Sequence, residues 1–215
     1  MKNLFEKNLT RRNFIKDIAK FIAAVTVFDL FPGDGEASHK KNDFKIPAIS
    51  KFKPLNKIKI KETKLNFTGE MDVRTHTGAI IIHHSGLKED RESSAAEIHE
   101  MHLKNGWSGI GYHFVVHKNG SIERGRPQHL VGAHSLSNNE FTIGICMTGN
   151  FSIGNVTKKQ ILSTEQLVAA LCKEYGFAPK STTIFGHRDL NDTSCPGDNF
   201  YPLLPEFIEI VQSVM

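Results

Sequence analysis

The chain has 215 residues, 39% hydrophobic and 23% charged, with a formal net charge of +4, which suits one well-cored soluble domain plus an appendage. Residues 1–62 hold 14 Lys/Arg against 7 Asp/Glu, while the remainder holds 13 against 16. The basic surplus therefore belongs to the N-terminal part, and the body lacks the basic stripe that a nucleic-acid-binding domain needs. Three cysteines are too few for a disulfide scaffold.

Thr10-Arg11-Arg12-Asn13-Phe14-Ile15-Lys16 matches a twin-arginine export signal. A short apolar run over 21–28 follows, and Gly35 and Ala37 are small residues suited to a signal peptidase. Residues 1–37 are thus expected to be a removable export signal, giving a periplasmic or secreted protein. The apolar run falls well short of the roughly 20 residues of a spanning helix, so no transmembrane anchor is expected once the signal is removed. Residues 38–63 are Lys-rich, carry Pro47 and Pro54, show no sustained period, and read as a linker or arm. Residues 64–215 are the expected domain, with Leu65-Asn66-Phe67 as a short edge strand.

Ala79 to His83 is a β-branched apolar run that reads as a buried strand with His83 at its C-terminal end, where ligand sites in α/β sheets lie. Ser94-Ala95-Ala96-Glu97 is a capping box opening a helix that ends near Lys104, before Gly106. Residues 111–118 read as a strand, turned by Asn119-Gly120 into another at 121–124. Residues 141–147 form a further buried strand. A second capping box at Ser163 opens a helix carrying Leu167, Leu171 and Tyr175 and stopping at Gly176. A short strand at 182–185 and a terminal helix over 204–214 complete the chain. Strands and helices alternate around one core, which predicts an α/β single domain: a central mixed sheet with helices on both faces. Cys146 and Cys172 lie in apolar periodic segments and read as buried thiols, with a bridge between them left open.

The segment 186–197, Gly-His-Arg-Asp-Leu-Asn-Asp-Thr-Ser-Cys-Pro-Gly, places His187 and Cys195 eight residues apart in one loop. Imidazole and thiolate together favour a borderline-soft cation, zinc (Zn2+) above all. The best third ligand is His83, about a hundred residues upstream. Other histidines fail simple geometric tests. His113 and His117 stand roughly 13 Å apart along one strand face, and His84 points away from His83 on the same strand. His99 and His102 share a helix face with no third ligand and read as solvated helix residues. His187-Arg188-Asp189-Leu190 has the look of a kinase catalytic loop, but the Asn, the Val-Ala-Ile-Lys strand and the Asp-Phe-Gly that a kinase requires are missing.

Several motifs in one order resemble the zinc-dependent N-acetylmuramoyl-L-alanine amidases, a family that unites phage amidase-type lysozymes with peptidoglycan recognition proteins. They are Ile81-Ile82-His83-His84-Ser85, Gly106-Trp107, Gly111-Tyr112-His113-Phe114, Asn119-Gly120 with Arg124-Gly125-Arg126, Gly132-Ala133-His134, Asn139 with Ile143-Gly144-Ile145-Cys146, Gly149-Asn150-Phe151, and 186–197. The resemblance implies that His83, His187 and Cys195 are the metal ligands. It matches Tyr112 to the family's active-site tyrosine and Thr193 to the threonine of catalytic recognition proteins. It implies cleavage of the amide between muramic acid and L-alanine, with peptidoglycan or muropeptides as partner. His134 and Asn139 are expected to line the groove, with Trp107 as an apolar wall. Two other readings are a module that binds muropeptides without cutting them and a zinc peptidase acting on the stem peptide.

Overall fold

The computed structural model describes residues 44–215; the twin-arginine motif, the apolar run and the first residues of the Lys-rich segment lie outside them. Along the described chain come β1 (Ile60–Lys61), β2 (Ala79–His84), α1 (Ala95–Lys104), β3 (Phe114–Val116), β4 (Ile122–Arg124), β5 (Thr142–Met147), α2 (Lys158–Tyr175), β6 (Ile184–Gly186) and α3 (Leu204–Ser213). The six strands form one sheet in the order β1-β4-β3-β5-β2-β6. Every neighbouring pair is parallel except the β3–β4 hairpin, so the sheet is mixed, as the alternation of elements predicts.

The long central strands β2 and β5 are buried along their whole length, which is why they read as continuous apolar runs rather than alternating ones. Their register pairs Ile81 with Gly144 and His83 with Cys146, and Cys146 in turn pairs with Val115 of β3. On that face Val115 and Cys146 pack against Ala95 and Ile98 of α1. Strand alternation turns Val116 and Met147 to the opposite face, where α2 and α3 pack together and α3 lies near β6. Cys146 and Cys172 are both buried as free thiols.

Three expectations change. The edge strand is Ile60–Lys61, paired with β4, and not Leu65–Phe67. Leu65 and Phe67 instead cover the α1 cluster as irregular chain. Helix α2 starts at Lys158 rather than near Ser163, because Thr157 Oγ1 accepts from Gln160 N (3.1 Å) and caps the helix earlier. Within the additional turn Gln160 is polar yet buried: its Nε2 donates to Val116 O and Thr148 O, both at 2.9 Å, closing the ends of β3 and β5. His99 is not solvated, and His102 is only partly so. His99 is 2% exposed, its Nδ1 accepts from Ile110 N (3.2 Å), and its Nε2 donates to Asn66 O (3.1 Å). His102 Nδ1 accepts from Gly111 N at 3.0 Å. Both rings serve as backbone acceptors for the turn after α1, which satisfies N–H groups that burial would otherwise orphan.

The arm from residue 45 onward lies on α2. Glu165 Oε2 accepts from Ile49 N (3.2 Å), while the buried Oε1 has no hydrogen-bond partner among the described residues. Burial, reinforced by Glu206 and opposed by the Ile49 N–H, pushes this carboxyl up to about 8. Between its ordinary value near 4.5 and about 8, the folded state holds a proton that the unfolded chain has released. Stability from this group therefore falls as pH rises through that window. Glu165→Gln is expected to flatten the decline in melting temperature from pH 5 to 9, measured against the unaltered protein. Parallel curves for the two proteins would show that the carboxyl is not the origin.

Candidate metal centre

Three elements bring the metal-type side chains together at one end of the sheet. β2 delivers His83, which is fully buried. β6 ends at Gly186, and the next residue, His187, opens a 3-10 turn over His187–Asp189. The loop then returns Cys195 beside β2. Its closure is built into the sequence between the ligands. Arg188 N donates to Cys195 O (2.8 Å), the Arg188 guanidinium binds Ser194 O and Asp198, and Asp189 Oδ2 accepts from Gly186 N (2.8 Å). Arg188 and Asp189 thus hold the loop, and the flanking His187 and Cys195 are left to face His83.

One ligand-type atom each from His83, His187 and Cys195 lies within 4.8 Å of the others. His83 Nδ1 stands 3.6 Å from Cys195 Sγ, and the His83 and His187 ring centroids are 4.4 Å apart. Ligands of a tetrahedral zinc stand about 3.5 Å from one another, so small adjustments would close this set around an ion. The chemistry of the donors also fits. Burial, with His134, His187 and His84 nearby, holds His83 well below the usual histidine range, and burial lowers His187 as well. Neutral imidazole is the form that binds metal. Burial pushes the Cys195 thiol up to about 12, against a hydrogen bond from His84 N (3.4 Å) and the nearby Arg188 guanidinium. A divalent ion would offset that desolvation by binding the thiolate.

The remaining expected site residues divide into two groups. Tyr112 lies over His83, with ring centroids 5.0 Å apart. Burial, then the neighbouring Cys146 and Cys195, raise its phenol well above its ordinary value, so it stays a hydrogen-bond donor. Thr193 Oγ1 accepts from Cys195 N (3.2 Å), which leaves its hydroxyl proton to donate elsewhere. Trp107 is 44% exposed and meets the His102 ring at a tilt, centroids 4.5 Å apart, and His102 lies 5.5 Å from the Tyr112 ring. This forms an aromatic step from solvent down to the metal-type cluster. His134 and Asn139, expected in the groove, are turned inward instead. His134 is buried with Nδ1 3.1 Å from His83 Nε2, and Asn139 Oδ1 accepts from His134 N and Ser135 N at 2.8 and 3.0 Å. Both ring nitrogens of His134 and the amide oxygen of Asn139 thus face protein partners.

Sequence reasoning missed Asn191, whose Oδ1 is 3.0 Å from His187 Nε2. It also missed Leu136, 79% exposed on the loop that follows His134. The only sequence signal for Asn191 is its place four residues after His187, and no periodicity marks either residue. His84 stays out of the cluster: its ring faces Phe151 and its Nδ1 accepts from Phe151 N at 3.0 Å.

Comparison with known proteins agrees with this architecture. The profile of the family described as N-acetylmuramoyl-L-alanine amidase (Amidase_2) matches residues 74–198. The endolysin of Enterobacteria phage T3 is 30% identical over 128 residues, covering 57% of this chain and 82% of that protein. The solved structure of N-acetylmuramoyl-L-alanine amidase LysC from Clostridium intestinale URNW superposes with a TM-score of 0.65 at 34% identity, covering 73% of this chain and 99% of that one. Wild-type Drosophila PGRP-LB gives a TM-score of 0.58 at 25% identity, covering 67% and 91%. With the family's profile spanning β2 through the His187–Cys195 loop, a relative covered to 82% of its length and a solved structure to 99%, the chain belongs to the N-acetylmuramoyl-L-alanine amidase family.

Proposed function

We propose that the protein is an exported zinc amidase that cuts the amide between the lactyl carbonyl of N-acetylmuramic acid and the amino group of L-alanine in peptidoglycan. The observation that carries this reading is the convergence of His83, His187 and Cys195 beside a protonated Tyr112. A donor set that lacked one ligand would favour binding without cleavage, and here all three are together. His83, His187 and Cys195 would hold the ion through one atom each. Held by these three residues, zinc would supply Lewis-acid polarisation of the carbonyl and activation of water near neutral pH.

The chain's own groups do the rest. Tyr112, kept protonated by burial, donates to the oxygen on which negative charge develops. Thr193, with its oxygen already engaged by Cys195 N–H, has one proton to give to the same oxygen or toward the leaving amine. Trp107 offers an exposed aromatic face for a sugar ring or the stem peptide. The twin-arginine motif at 10–16 supports delivery of the folded protein across the bacterial inner membrane.

Purified cell wall incubated with the zinc-loaded protein is expected to release intact stem peptides that begin with L-alanine, identified by mass spectrometry. Cell fractionation is expected to place the protein outside the cytoplasm. Wall binding with no new amino termini would support a pure binding module. Peptides cut internally would point to a stem-peptide peptidase.

A further inference from the structure

We propose that residues 132–139 and Asn191 form one orienting shell, in which His134 and Asn191 are positioning residues that present Nδ1 of His83 and Nδ1 of His187 to a single cation. The identity of the cation rests on the zinc-amidase reading; the orientation rests on hydrogen bonds alone.

Consider His83 first. Thr142 Oγ1 donates its only proton to Asn138 O at 2.6 Å. In the 3.5 Å contact between that oxygen and His134 Nε2, the ring is therefore the donor. His134 then carries its proton on Nε2 and a lone pair on Nδ1. That lone pair accepts from His83 Nε2 at 3.1 Å. With its proton so placed, His83 keeps a free lone pair only on Nδ1, the atom that faces Cys195 Sγ.

His187 is fixed in the same way by a different partner. Asn191 Nδ2 donates to Leu136 O (3.2 Å), which sets the amide so that Oδ1 faces the ring. Asn191 Oδ1 accepts from Ser135 Oγ (2.6 Å) and from His187 Nε2 (3.0 Å). The Ser135 hydroxyl is itself aimed by Asn138 Nδ2, which donates to its oxygen at 3.1 Å. His187 is left with its lone pair on Nδ1.

Both arms are anchored in one loop. Asn139 Oδ1 gathers the N–H groups of His134 and Ser135, so the residue that orients His83 and the residue that steadies Asn191 are neighbours held by one amide. The His134 ring is further confined by two glycines. A Cβ on Gly132 or on Gly144 would stand 2.5 Å from a ring atom of His134, so the ring fills space that any other residue at those positions would take. Outer partners of this kind fix which nitrogen of a histidine binds metal and raise its basicity; losing one typically costs 10- to 100-fold in metal affinity.

The test uses zinc and cobalt(II) alone, with no wall substrate. Asn191→Leu keeps the volume and removes the acceptor. It is expected to weaken zinc roughly 10- to 100-fold in competition with a chromophoric chelator and to alter the visible absorption of the cobalt(II) form. The metal-free protein should still unfold cooperatively, so that the loss of affinity is read on a folded protein. Asn191→Asp, which retains an acceptor oxygen, should restore most of the affinity, and His134→Phe should weaken zinc in the same range as Asn191→Leu. If Asn191→Leu does not fold, Ser135→Ala removes one of the two bonds to Asn191 Oδ1 and should give a smaller shift in the same direction. Unchanged zinc affinity and cobalt(II) spectrum in the folded variants would overturn the proposal, as would an aspartate variant no better than the leucine one. Stem-peptide release by the unaltered protein is scored separately, so failure of the amidase reading and failure of the positioning reading give different results.

Discussion

His83→Ala is expected to abolish stoichiometric zinc binding and to reduce wall cleavage by more than about a hundredfold, the upper end of what loss of an outer partner costs. His83 is the ligand on the most rigid element: it sits at the end of β2, paired with Cys146, and is fully buried. Its removal leaves His187 and Cys195 on a single loop, too few to hold zinc and leave one open position. The fold should survive. The substitution leaves His134 Nδ1 without its donor, a loss of about 1–3 kcal/mol, against a total of about 5–15 kcal/mol for a typical domain. Metal analysis and circular dichroism on the same sample separate the two effects. A folded variant that retained one zinc per chain and full cleavage would refute the ligand assignment.

Tyr112→Phe should leave zinc content unchanged and lower kcat by about 10²- to 10³-fold, the range found when one oxyanion donor is removed. The phenol is raised well above its ordinary value by burial, so it remains a donor across the whole neutral range and loses nothing by titration there. Its hydroxyl acts on charge that develops during reaction, so KM should move little while kcat falls. Steady-state kinetics on a soluble muropeptide would show the split. An effect confined to KM would make Tyr112 a surface for substrate rather than a participant in the chemistry.

The parts of this molecule written as apolar runs were legible from sequence. β2 and β5 are continuous β-branched or apolar stretches, and the mixed sheet follows from their alternation with helices. His83, His187 and Cys195 could be picked out because a strand end and a glycine-bounded loop are where ligands converge. What stayed hidden were polar side chains whose partners are distant backbone. The spacing of His99 and His102 places them on one helix face, but nothing local shows that Ile110 and Gly111 return their N–H groups to those rings. Ile60–Lys61 escaped notice because a two-residue strand carries no period and gains its identity from β4. His134 and Asn139 were recognised as residues of the site, yet their inward direction depends on Thr142 and on the loop's own N–H groups. Asn191 carries no pattern at all, since its significance lies in the His187 ring and the Leu136 carbonyl that it joins.

The glycines beneath His134 make positions 132, 134 and 144 a single unit of inheritance. A methyl group at 132 or 144 and an imidazole at 134 claim the same volume, so neither glycine can drift while the histidine stays. A descendant that lost the histidine first would be free to fill the vacated space with alanine at either glycine. After that step the histidine could not return in one mutation, and the route back to this arrangement would be closed behind it.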